Sequence, residues 1–457
     1  MQTDQTDAGP PPGDESRPAR KPFWTRYAYK IIGAEVSTTA RCHDAVVQLD
    51  PLAHDHGQLF EQIDCPCKSV VTDLDRLPPA SGDQRTAVVL NGNVNYSHDV
   101  QGVLEELKPR LGRSSRVILV LYNPYYGWLY RFLSWIGLRR TPTPSTFLRR
   151  TDLRAIAQLA GYEVVRLRPA LYALISCLGL GTLINKFLPV VPLLRWTGFA
   201  AVAVLRPVIA ETAMPSMTIV IPARNEEGNI EDALRRIPDM APARIEVIFV
   251  EGHSTDGTWN EIQRVLPLYQ SRFKLAAYRQ PGHGKNDAVR TGFTHASTDL
   301  LAILDADLTM PPEMLPRYYE AYCRGMGDFI HGNRLVYQME GEAMRQLNHL
   351  GNVFFAKALS YVLGIRLGDS LCGTKLFSKR DYARIVAWRD RFGDFDPFGD
   401  FEFLFAASDM ALGVVDIPIR YAARTYGSTN ISRFRDGWRL LKMVGLGFFR
   451  IKLGKTR

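Results

Sequence analysis

Residues 300–313, LLAILDADLTMPPE, join a short apolar run to two acidic residues that follow it directly. The run LLAI predicts a buried strand, and Pro311 with Pro312 marks the turn beyond it. Asp305 and Asp307 are one residue apart, so in an extended segment their side chains point to the same side. Two converging carboxylates repel each other unless a cation lies between them. The stretch therefore predicts a strand that ends at a pocket, with Asp305 and Asp307 as ligands of a divalent metal.

Two other stretches repeat this pattern of an apolar strand followed by a polar turn. They are TIVIPARNEEGN at residues 218–229 and IEVIFVEGHSTDGT at residues 245–258. Because ligands bind outside the carboxyl ends of the strands in open α/β sheets, we expect the three loops to form one site. Carboxylate oxygens suit Mg²⁺ or Mn²⁺, and Mg²⁺ usually takes one or two carboxylates together with substrate phosphates. The predicted ligand is therefore a diphosphate held through Mg²⁺ or Mn²⁺.

The composition is that of a globular protein with anionic partners. The chain has 457 residues, of which 46% are apolar and 23% charged, and its net charge is +9. This charge favours nucleotide-sugar phosphates, an anionic membrane surface or nucleic acid. No nucleic-acid recognition motif occurs, so we expect no nucleic-acid partner. The six cysteines lack metal-ligand spacing and are expected to be free thiols in a reducing compartment.

Turn signals and charge divide the chain into four parts. Residues 1–22 are polar and proline-rich without an apolar signal segment, which predicts a disordered tail. Residues 23–208 and 209–432 both alternate strands with helices, which predicts two α/β domains. Residues 433–457 are predicted to form a basic amphipathic helix on a membrane surface. Residues 171–196 are apolar for only about 14 positions, whereas a membrane span needs about 20. This last stretch is expected to be a buried helix or an interfacial hairpin.

Part of the first domain resembles a known enzyme class. Residues 98–124, HDVQGVLEELKPRLGRSSRVILVLYNP, resemble the second half of a class I methyltransferase. These enzymes bind S-adenosylmethionine over a glycine-rich turn after the first strand, because glycine lets the backbone approach the ligand closely. The corresponding residues 29–51 contain only Gly33. We therefore expect residues 23–208 to be a Rossmann-like, methyltransferase-type domain with a degenerate or absent cofactor site, serving in packing or docking.

The second domain resembles the family 2 inverting glycosyltransferases of the GT-A fold. Seven motifs occur in the order seen in that family: IVIPARNEEGNI, VIFVEGHSTDGT, GHGKNDAVRTGF, LDADLTMPPEML, GNRLV, DSLCGTKLF and GDFEFLF. The resemblance covers residues 217–432 and is strongest to the dolichol- and undecaprenyl-phosphate sugar synthases, some of which carry a methyltransferase-like N-terminal half. It implies an enzyme that moves a hexose from a UDP- or GDP-sugar, with a metal on the acidic pair holding the diphosphate.

The resemblance also implies which residues contact the donor. They are Pro222, Ala223, Asn225, Glu226, Glu251, Ser254, Lys285, Asp305, Ala306 and Asp307. The chain departs from the family at Gly252, where a second acid often stands, so the base, uridine or guanosine, stays open. It also departs at Thr309, where many relatives carry a glutamine as third metal ligand. Water or the Thr309 hydroxyl is expected to complete the metal shell.

The acceptor determines which further groups the reaction needs. A sugar hydroxyl requires a general base, whereas a lipid phosphate is already anionic and requires mainly positioning. For a lipid phosphate the resemblance implies Arg334, Arg345, Arg424 and Ser428 as its ligands. Arg334 counts among the candidate catalytic residues together with Asp400 and Glu402. Asp400 is the expected base if the acceptor is a hydroxyl; otherwise the two acids are expected to order their loop.

The C-terminal segment favours a lipid acceptor. Residues 431–457 hold eight basic residues and one acidic residue. Arg435, Arg439 and Lys442 are spaced along one face of a helix and aromatic and apolar residues along the other, which is typical of a helix lying on an anionic membrane. The alternative is a helix packed on the domain.

The sequence thus predicts a hexosyltransferase that acts on polyprenyl phosphate, peripheral on the cytoplasmic face of the plasma membrane. One alternative is extension of a polysaccharide or other glycan hydroxyl in cell-envelope biosynthesis. Two others are an S-adenosylmethionine-dependent methyltransferase and a non-catalytic scaffold.

Overall fold

The structure is a computed structural model of the protein. It describes residues 23–52, 57–79, 84–137, 142–240, 244–337, 346–396, 399–424, 426 and 433–454. The tail predicted at residues 1–22 lies outside the described residues. Two sheets stand at the centres of two α/β domains, and the chain passes from the last strand of one to the first strand of the other between residues 208 and 216. The predicted α/β class is confirmed.

The first sheet has six strands in the order β2-β1-β3-β4-β6-β5. The strands are β1 Ala45–Leu49, β2 Lys68–Val71, β3 Thr86–Asn91, β4 Arg116–Tyr122, β5 Tyr162–Ala170 and β6 Ala200–Pro207. β1 to β4 are parallel, and β6 is antiparallel to both β4 and β5. The helices are α1 Phe23–Ala40, α2 Gln58–Glu61, α3 Val100–Leu107, α4 Gly127–Trp135, α5 Arg150–Leu159 and α6 Leu180–Phe187. The likeness of this domain to methyltransferases stays a prediction.

The second sheet has seven strands in the order β13-β11-β12-β10-β7-β8-β9. They are β7 Met217–Ala223, β8 Ile245–Glu251, β9 Lys274–Arg279, β10 Leu300–Ile303, β11 Phe329–Asn333, β12 Lys375–Ser378 and β13 Val414–Pro418. β12 alone among these is antiparallel to its neighbours. The helices are α7 Ile230–Arg236, α8 Thr258–Tyr269, α9 Lys285–His295, α10 Leu315–Cys323, α11 Gln346–Leu363, α12 Lys379–Phe392, α13 Phe401–Asp409 and α14 Arg433–Gly447. Apolar side chains cover both faces of the sheet, one face against α7, α8 and α10 and the other against α9 and α11 to α13.

Arginines of the first domain join the two domains through one buried aspartate. The carboxylate of Asp328 lies 2.7 Å from the Arg116 guanidinium and 3.5 Å from those of Arg113 and Arg206. Burial alone would raise the pKa of Asp328, but these guanidinium groups outweigh it and hold the pKa well below its usual value. The carboxylate is therefore ionised and fixed at the interface.

A second set of arginines caps the end of α13. Arg85 donates to the Met410 carbonyl at 3.2 Å, Arg116 to the Ala411 carbonyl at 2.7 Å, and Arg166 to the Asp409 carbonyl at 3.1 Å. Asp409 is the last residue of α13, and Met410 and Ala411 follow it directly. Cations stabilise the end of a helix, because the carbonyls there carry partial negative charge. The first domain therefore holds the helix that follows Asp400.

The C-terminal helix α14 packs on the second domain through a side that the sequence pattern did not single out. Leu440 and Met443, three residues apart, are buried, whereas Trp438 and Leu441 are exposed beside Lys442. The aromatic and basic side chains therefore share the exposed side of the helix. Among the described helices, none is long and apolar enough to cross a membrane.

Candidate functional site

The site lies where β7, β8 and β10 end, and the structure joins the first two loops by hydrogen bonds. Ala223 at the end of β7 pairs in register with Glu251 at the end of β8, as Pro222 does with Val250. The Ser254 hydroxyl accepts from the Asn225 backbone N–H at 3.0 Å. Since β12 runs antiparallel to β10, the start of β12 also reaches this edge of the sheet.

Each of the two predicted metal ligands contacts a basic side chain. Asp305 Oδ1 lies 2.5 Å from Lys285 Nζ at the first residue of α9, and Asp307 Oδ2 lies 2.6 Å from the Arg424 guanidinium. Both carboxylates are partly exposed, while Ala306 between them is buried. Burial would lower the pKa of Lys285, but the charge of Asp305, with that of Asp400, raises it above its usual value. The edge therefore presents alternating negative and positive groups.

The acidic pair fits part of a metal shell. Among the described residues, no group of three or more His, Cys, Asp or Glu side chains is placed to hold a metal ion. Asp305 and Asp307 offer hard carboxylate oxygens, and Asp307 also accepts from the Thr309 hydroxyl at 2.8 Å, so this hydroxyl orients the carboxylate. A magnesium or manganese ion commonly takes two carboxylates and completes its shell with phosphate oxygens and water. The residues present fit that arrangement.

Gly373 leaves room for the ion pair between Asp305 and Lys285. A Cβ at this position would overlap with the Asp305 carboxylate and with Lys285 Nζ. Its backbone thus passes directly against the ion pair. A side chain here would force both charged groups to move.

Glu226 and Glu251 lie at the same edge with different partners. Glu226 lies 3.4 Å from Arg424 and accepts from the Asn229 amide at 2.7 Å; burial raises its pKa. Glu251 is buried and accepts from the Ser254 backbone N–H at 2.5 Å, so it orders its own loop. Arg424 therefore bridges Glu226 and Asp307, joining the loops after β7 and β10.

Arg334 forms a buried bidentate ion pair. Its Nε lies 2.6 Å from Asp369 Oδ2 and a terminal nitrogen lies 2.9 Å from Oδ1. Burial would raise the pKa of Asp369, but the guanidinium lowers it to about 2. Arg334 is thereby held at the end of β11 with its charge compensated. Of the other three predicted phosphate ligands, Arg424 is described above, and Arg345 and Ser428 lie outside the described residues.

Asp400 is buried beside two lysines at the start of α13. It pairs with Lys375 Nζ, and the charge of Lys285 also acts on it. Burial would raise the pKa of Asp400, but these two ammonium groups outweigh it and hold the pKa below its usual value. A carboxylate with a lowered pKa is a weak proton acceptor. This placement favours a reaction that needs no strong base.

Glu402 is paired with arginines on neighbouring helices. Its carboxylate forms ion pairs with Arg290 of α9 and, at 3.2 Å, with Arg389 of α12, and it is almost fully buried. These contacts tie α13 to α9 and α12. The arrangement favours the ordering role for Glu402 over contact with a substrate.

The sequence interpretation assigned no role to three residues that complete the site. Asp369, Gly373 and Lys375 all belong to the motif DSLCGTKLF, which was recognised only as a whole. The signal that could have singled them out is a pair of opposite charges flanking a glycine within one short motif. Their partners, Arg334, Asp305 and Asp400, are distant in sequence and become neighbours only in the fold.

His331 beside this site makes stability depend on pH. Burial, with the charge of Lys375, lowers its pKa to about 4, whereas an unfolded histidine titrates near about 6.5. Between these values the unfolded chain takes up a proton that the folded chain does not, so stability falls as the pH is lowered. We expect His331 alone to account for a loss of about 3 kcal/mol from pH 6.5 to pH 4, taken as the difference between the wild type and His331→Gln. Urea unfolding of the wild type and His331→Gln at both pH values measures it.

The glutamine variant should lose less stability over this range than the wild type. Some dependence should remain, because burial also lowers the pKa of His43 well below its usual value. Equal pH dependence in the two proteins would contradict the assignment to His331.

Comparison with known proteins places the second domain in a family. The family model for glycosyl transferase family 2 matches residues 218–386. A dolichyl-phosphate hexose transferase of Haloferax volcanii is 25% identical over 52% of this chain and 95% of that protein. An undecaprenyl-phosphate 4-deoxy-4-formamido-L-arabinose transferase of Erwinia tasmaniensis is 26% identical over 49% of this chain, which spans only 65% of that relative's length. The crystal structure of glucosyl-3-phosphoglycerate synthase from Mycobacterium tuberculosis aligns with a TM-score of 0.37 and 17% identity over 52% of this chain and 81% of that one. The second domain belongs to the family 2 glycosyltransferases.

Proposed function

We propose that the protein is a metal-dependent inverting glycosyltransferase that moves a hexose from a UDP- or GDP-sugar to polyprenyl phosphate. The observation that carries the proposal is the charged cluster at the sheet edge. There, Asp305 contacts Lys285, Asp307 contacts Arg424, and the Gly373 backbone closes against them. Such a cluster offers both the ligands of a divalent cation and the cations that a diphosphate requires.

The residues of the cluster have separate tasks in this proposal. Asp305 and Asp307 would hold the metal, which supplies a Lewis acid that neutralises charge developing on the departing nucleoside diphosphate. Lys285 adds positive charge beside them and binds phosphate oxygens of the donor. Arg424, which the sequence resemblance assigned to the acceptor phosphate, is proposed at the donor instead because it contacts Asp307. Asn225 and Glu226 follow β7 at the same edge and contact the nucleoside. The acceptor then attacks the anomeric carbon from the face opposite the diphosphate, which inverts the configuration.

The acceptor proposed here is a lipid phosphate because of Asp400. Its pKa is lowered by Lys375 and Lys285, so it is poorly suited to remove a proton from a sugar hydroxyl. A phosphate monoester is already ionised and needs only to be positioned. Two of the relatives are named for transfer involving undecaprenyl phosphate or dolichyl phosphate. The reaction would then take place at the cytoplasmic face of the plasma membrane.

The direct test supplies Mn²⁺, polyprenyl phosphate and a panel of labelled nucleotide sugars. The expected result is label in the organic phase with one of the sugars and none when the metal is chelated. Label that appears only in water-soluble glycan would contradict the lipid acceptor and support extension of a glycan hydroxyl.

Variants distinguish the two acceptors. In this proposal Arg334, held in place by Asp369, contacts the acceptor phosphate. For a lipid phosphate, we therefore expect Arg334→Ala to lower transfer roughly a hundredfold at low acceptor concentration, and Asp400→Asn to lower it less. For a glycan hydroxyl, Asp400→Asn should abolish transfer. The readout is kcat and KM for the acceptor, with thermal unfolding measured alongside because Asp369 loses its partner in the first variant. Arg324→Ala, at an exposed ion pair on the surface, serves as control.

A further inference from the structure

Residues 171–196 connect β5 to β6, include helix α6 and are called the hairpin below; the side chain of Asn185 points inward. The Asn185 side chain accepts from the backbone N–H of Ala173 at 3.0 Å and donates to the Ala173 carbonyl at 3.0 Å. Tyr27 of α1 lies 3.2 Å from the Thr182 hydroxyl, which ties the hairpin to the domain. The hairpin is thus a built element of the first domain.

The outer surface of this hairpin is apolar. Leu178 is fully exposed, Leu193 is 90% exposed, and Leu180, Leu183 and Phe187 are also exposed. At the tip, Cys177 and Leu178 have φ values of 40° and 54°, a region that residues other than glycine rarely adopt. The backbone at the tip is therefore strained while the leucines point outward. The side chain of Leu178 is fully exposed, so burial does not compensate this strain.

Helix α4 adds aromatic side chains next to the hairpin. Trp128 and Trp135 are exposed, the latter by 82%, and Phe132 lies between them. The two elements leave the same edge of the first sheet, because Tyr122 at the end of β4 and Ala170 at the end of β5 both pair with Ala200. We call the exposed side chains of α4 and of residues 174–194 the apolar face.

The two chain segments that carry the apolar face contain charged residues of a single sign. Residues 123–150 and 171–196 contain seven Lys and Arg residues and no Asp or Glu. At the frequency of the whole chain, which has 47 acidic residues among 457, about six would be expected. Exposed apolar and tryptophan side chains in basic segments are typical of proteins that bind an anionic lipid surface. A second copy of the chain would instead bring like charges together.

The apolar face continues onto the second domain. The Val190 carbonyl accepts from the Tyr361 hydroxyl of α11, and Lys452 near the end of the chain donates to the Tyr361 carbonyl at 2.7 Å. Leu350 and Phe354 are exposed and stand eleven and seven residues before Tyr361, so all three share one side of α11. The helix leads from the hairpin towards residues 364–369, which end at the Arg334 partner Asp369.

We propose that the apolar face docks on an anionic lipid bilayer, so that the first domain is the membrane-binding part of this protein. The tip leucines enter the interfacial region and the tryptophans lie at the level of the headgroups. This extends the proposed function by naming the element that brings the transferase to a lipid-borne acceptor. Unlike the proposed transfer reaction, membrane docking needs neither the nucleotide-sugar donor nor the metal.

The experiment is flotation of the full chain with vesicles of phosphatidylcholine and phosphatidylglycerol, and with vesicles of phosphatidylcholine alone. We expect the wild type to float with the anionic vesicles and the double variant Leu178→Asp with Leu193→Asp to bind at least about tenfold more weakly. The control is Leu159→Asp with Leu268→Asp, which makes the same charge change at two exposed leucines outside the apolar face. It should float like the wild type.

The outcomes are distinct. Equal binding by the two double variants, or no flotation of the wild type, overturns the proposal. A wild-type dimer in solution that the Leu178 and Leu193 variant dissociates would overturn it in favour of a second copy. If only the proposed function is wrong, the protein will bind vesicles but will not transfer hexose to polyprenyl phosphate in detergent. Thermal unfolding tests whether both double variants are folded. We expect both to be folded, because all four positions are exposed.

Discussion

Replacing Asp305 or Asp307 with asparagine is expected to lower hexose transfer by about a thousandfold while the protein stays folded. The change removes one negative charge from the cluster that meets the donor diphosphate and keeps the shape of the side chain. In Asp305→Asn, Lys285 loses its ion-pair partner but keeps the influence of Asp400. The measurement is kcat/KM for the nucleotide sugar at a series of Mn²⁺ concentrations, together with thermal unfolding.

The control for this prediction is Asp239→Asn, because Asp239 is an exposed aspartate paired with Arg272 away from the cluster. Gly373→Ala tests the same geometry by adding one methyl group that displaces the Asp305 carboxylate and the Lys285 ammonium. We expect it to lower transfer with little change in unfolding temperature, since the displaced groups are the ends of flexible side chains. Full activity of both Asp305→Asn and Asp307→Asn would contradict the metal site and the proposed function.

Replacing Asp328 with asparagine is expected to lower the free energy of unfolding by about 3 to 5 kcal/mol. The buried carboxylate compensates Arg116 and Arg206, whose side chains are completely or almost completely buried. Without it, these guanidinium groups remain at the domain interface with much of their charge uncompensated, and the desolvation cost of a buried cation is several kcal/mol. Urea unfolding at pH 7 measures the loss.

The matched control is Asp232→Asn on the surface of α7, where the partner Arg235 is exposed. Exposed ion pairs contribute less than about 1 kcal/mol, so this variant should unfold like the wild type. A loss of similar size in both variants would show that the interface cluster contributes no more than a surface pair.

The parts of the fold that follow from local patterns were predictable. The runs TIVIPA, IEVIFVE and LLAI each became a strand of the second sheet, and their polar ends meet at one edge because the strands are parallel. The acidic pair was found for the same reason, since alternation along an extended segment is a local property. These inferences need only the period of a strand and the rule for parallel sheets.

The pairing of charges was not predictable. Lys375 looks like a charged residue at the start of a strand, yet its side chain is completely buried against Asp400. Arg334 looked like a free cation for a phosphate, yet Asp369 occupies two of its nitrogens. Each pair joins residues that only the tertiary fold brings together. A single sequence gives the sign of each charge and leaves its partner undetermined.

The apolar stretch at residues 171–196 was left between a buried helix and an interfacial hairpin. Hydropathy could not decide, because both would be rich in leucine. The structure places helix α6, Leu180–Phe187, within this stretch with exposed apolar side chains, so the helix is not buried, and the interfacial location stays a prediction.

The arginines that cap α13 bear on the order in which the chain folds during synthesis. N-terminal domains usually fold first while the ribosome is still adding residues. At that moment Arg85 and Arg166 face water, because the carbonyls that they will bind have not been made. When residues 401–411 emerge, the final turn of the helix meets a preformed row of donors. The first domain thus acts as a template on which the nascent second domain completes the helix that begins next to Asp400.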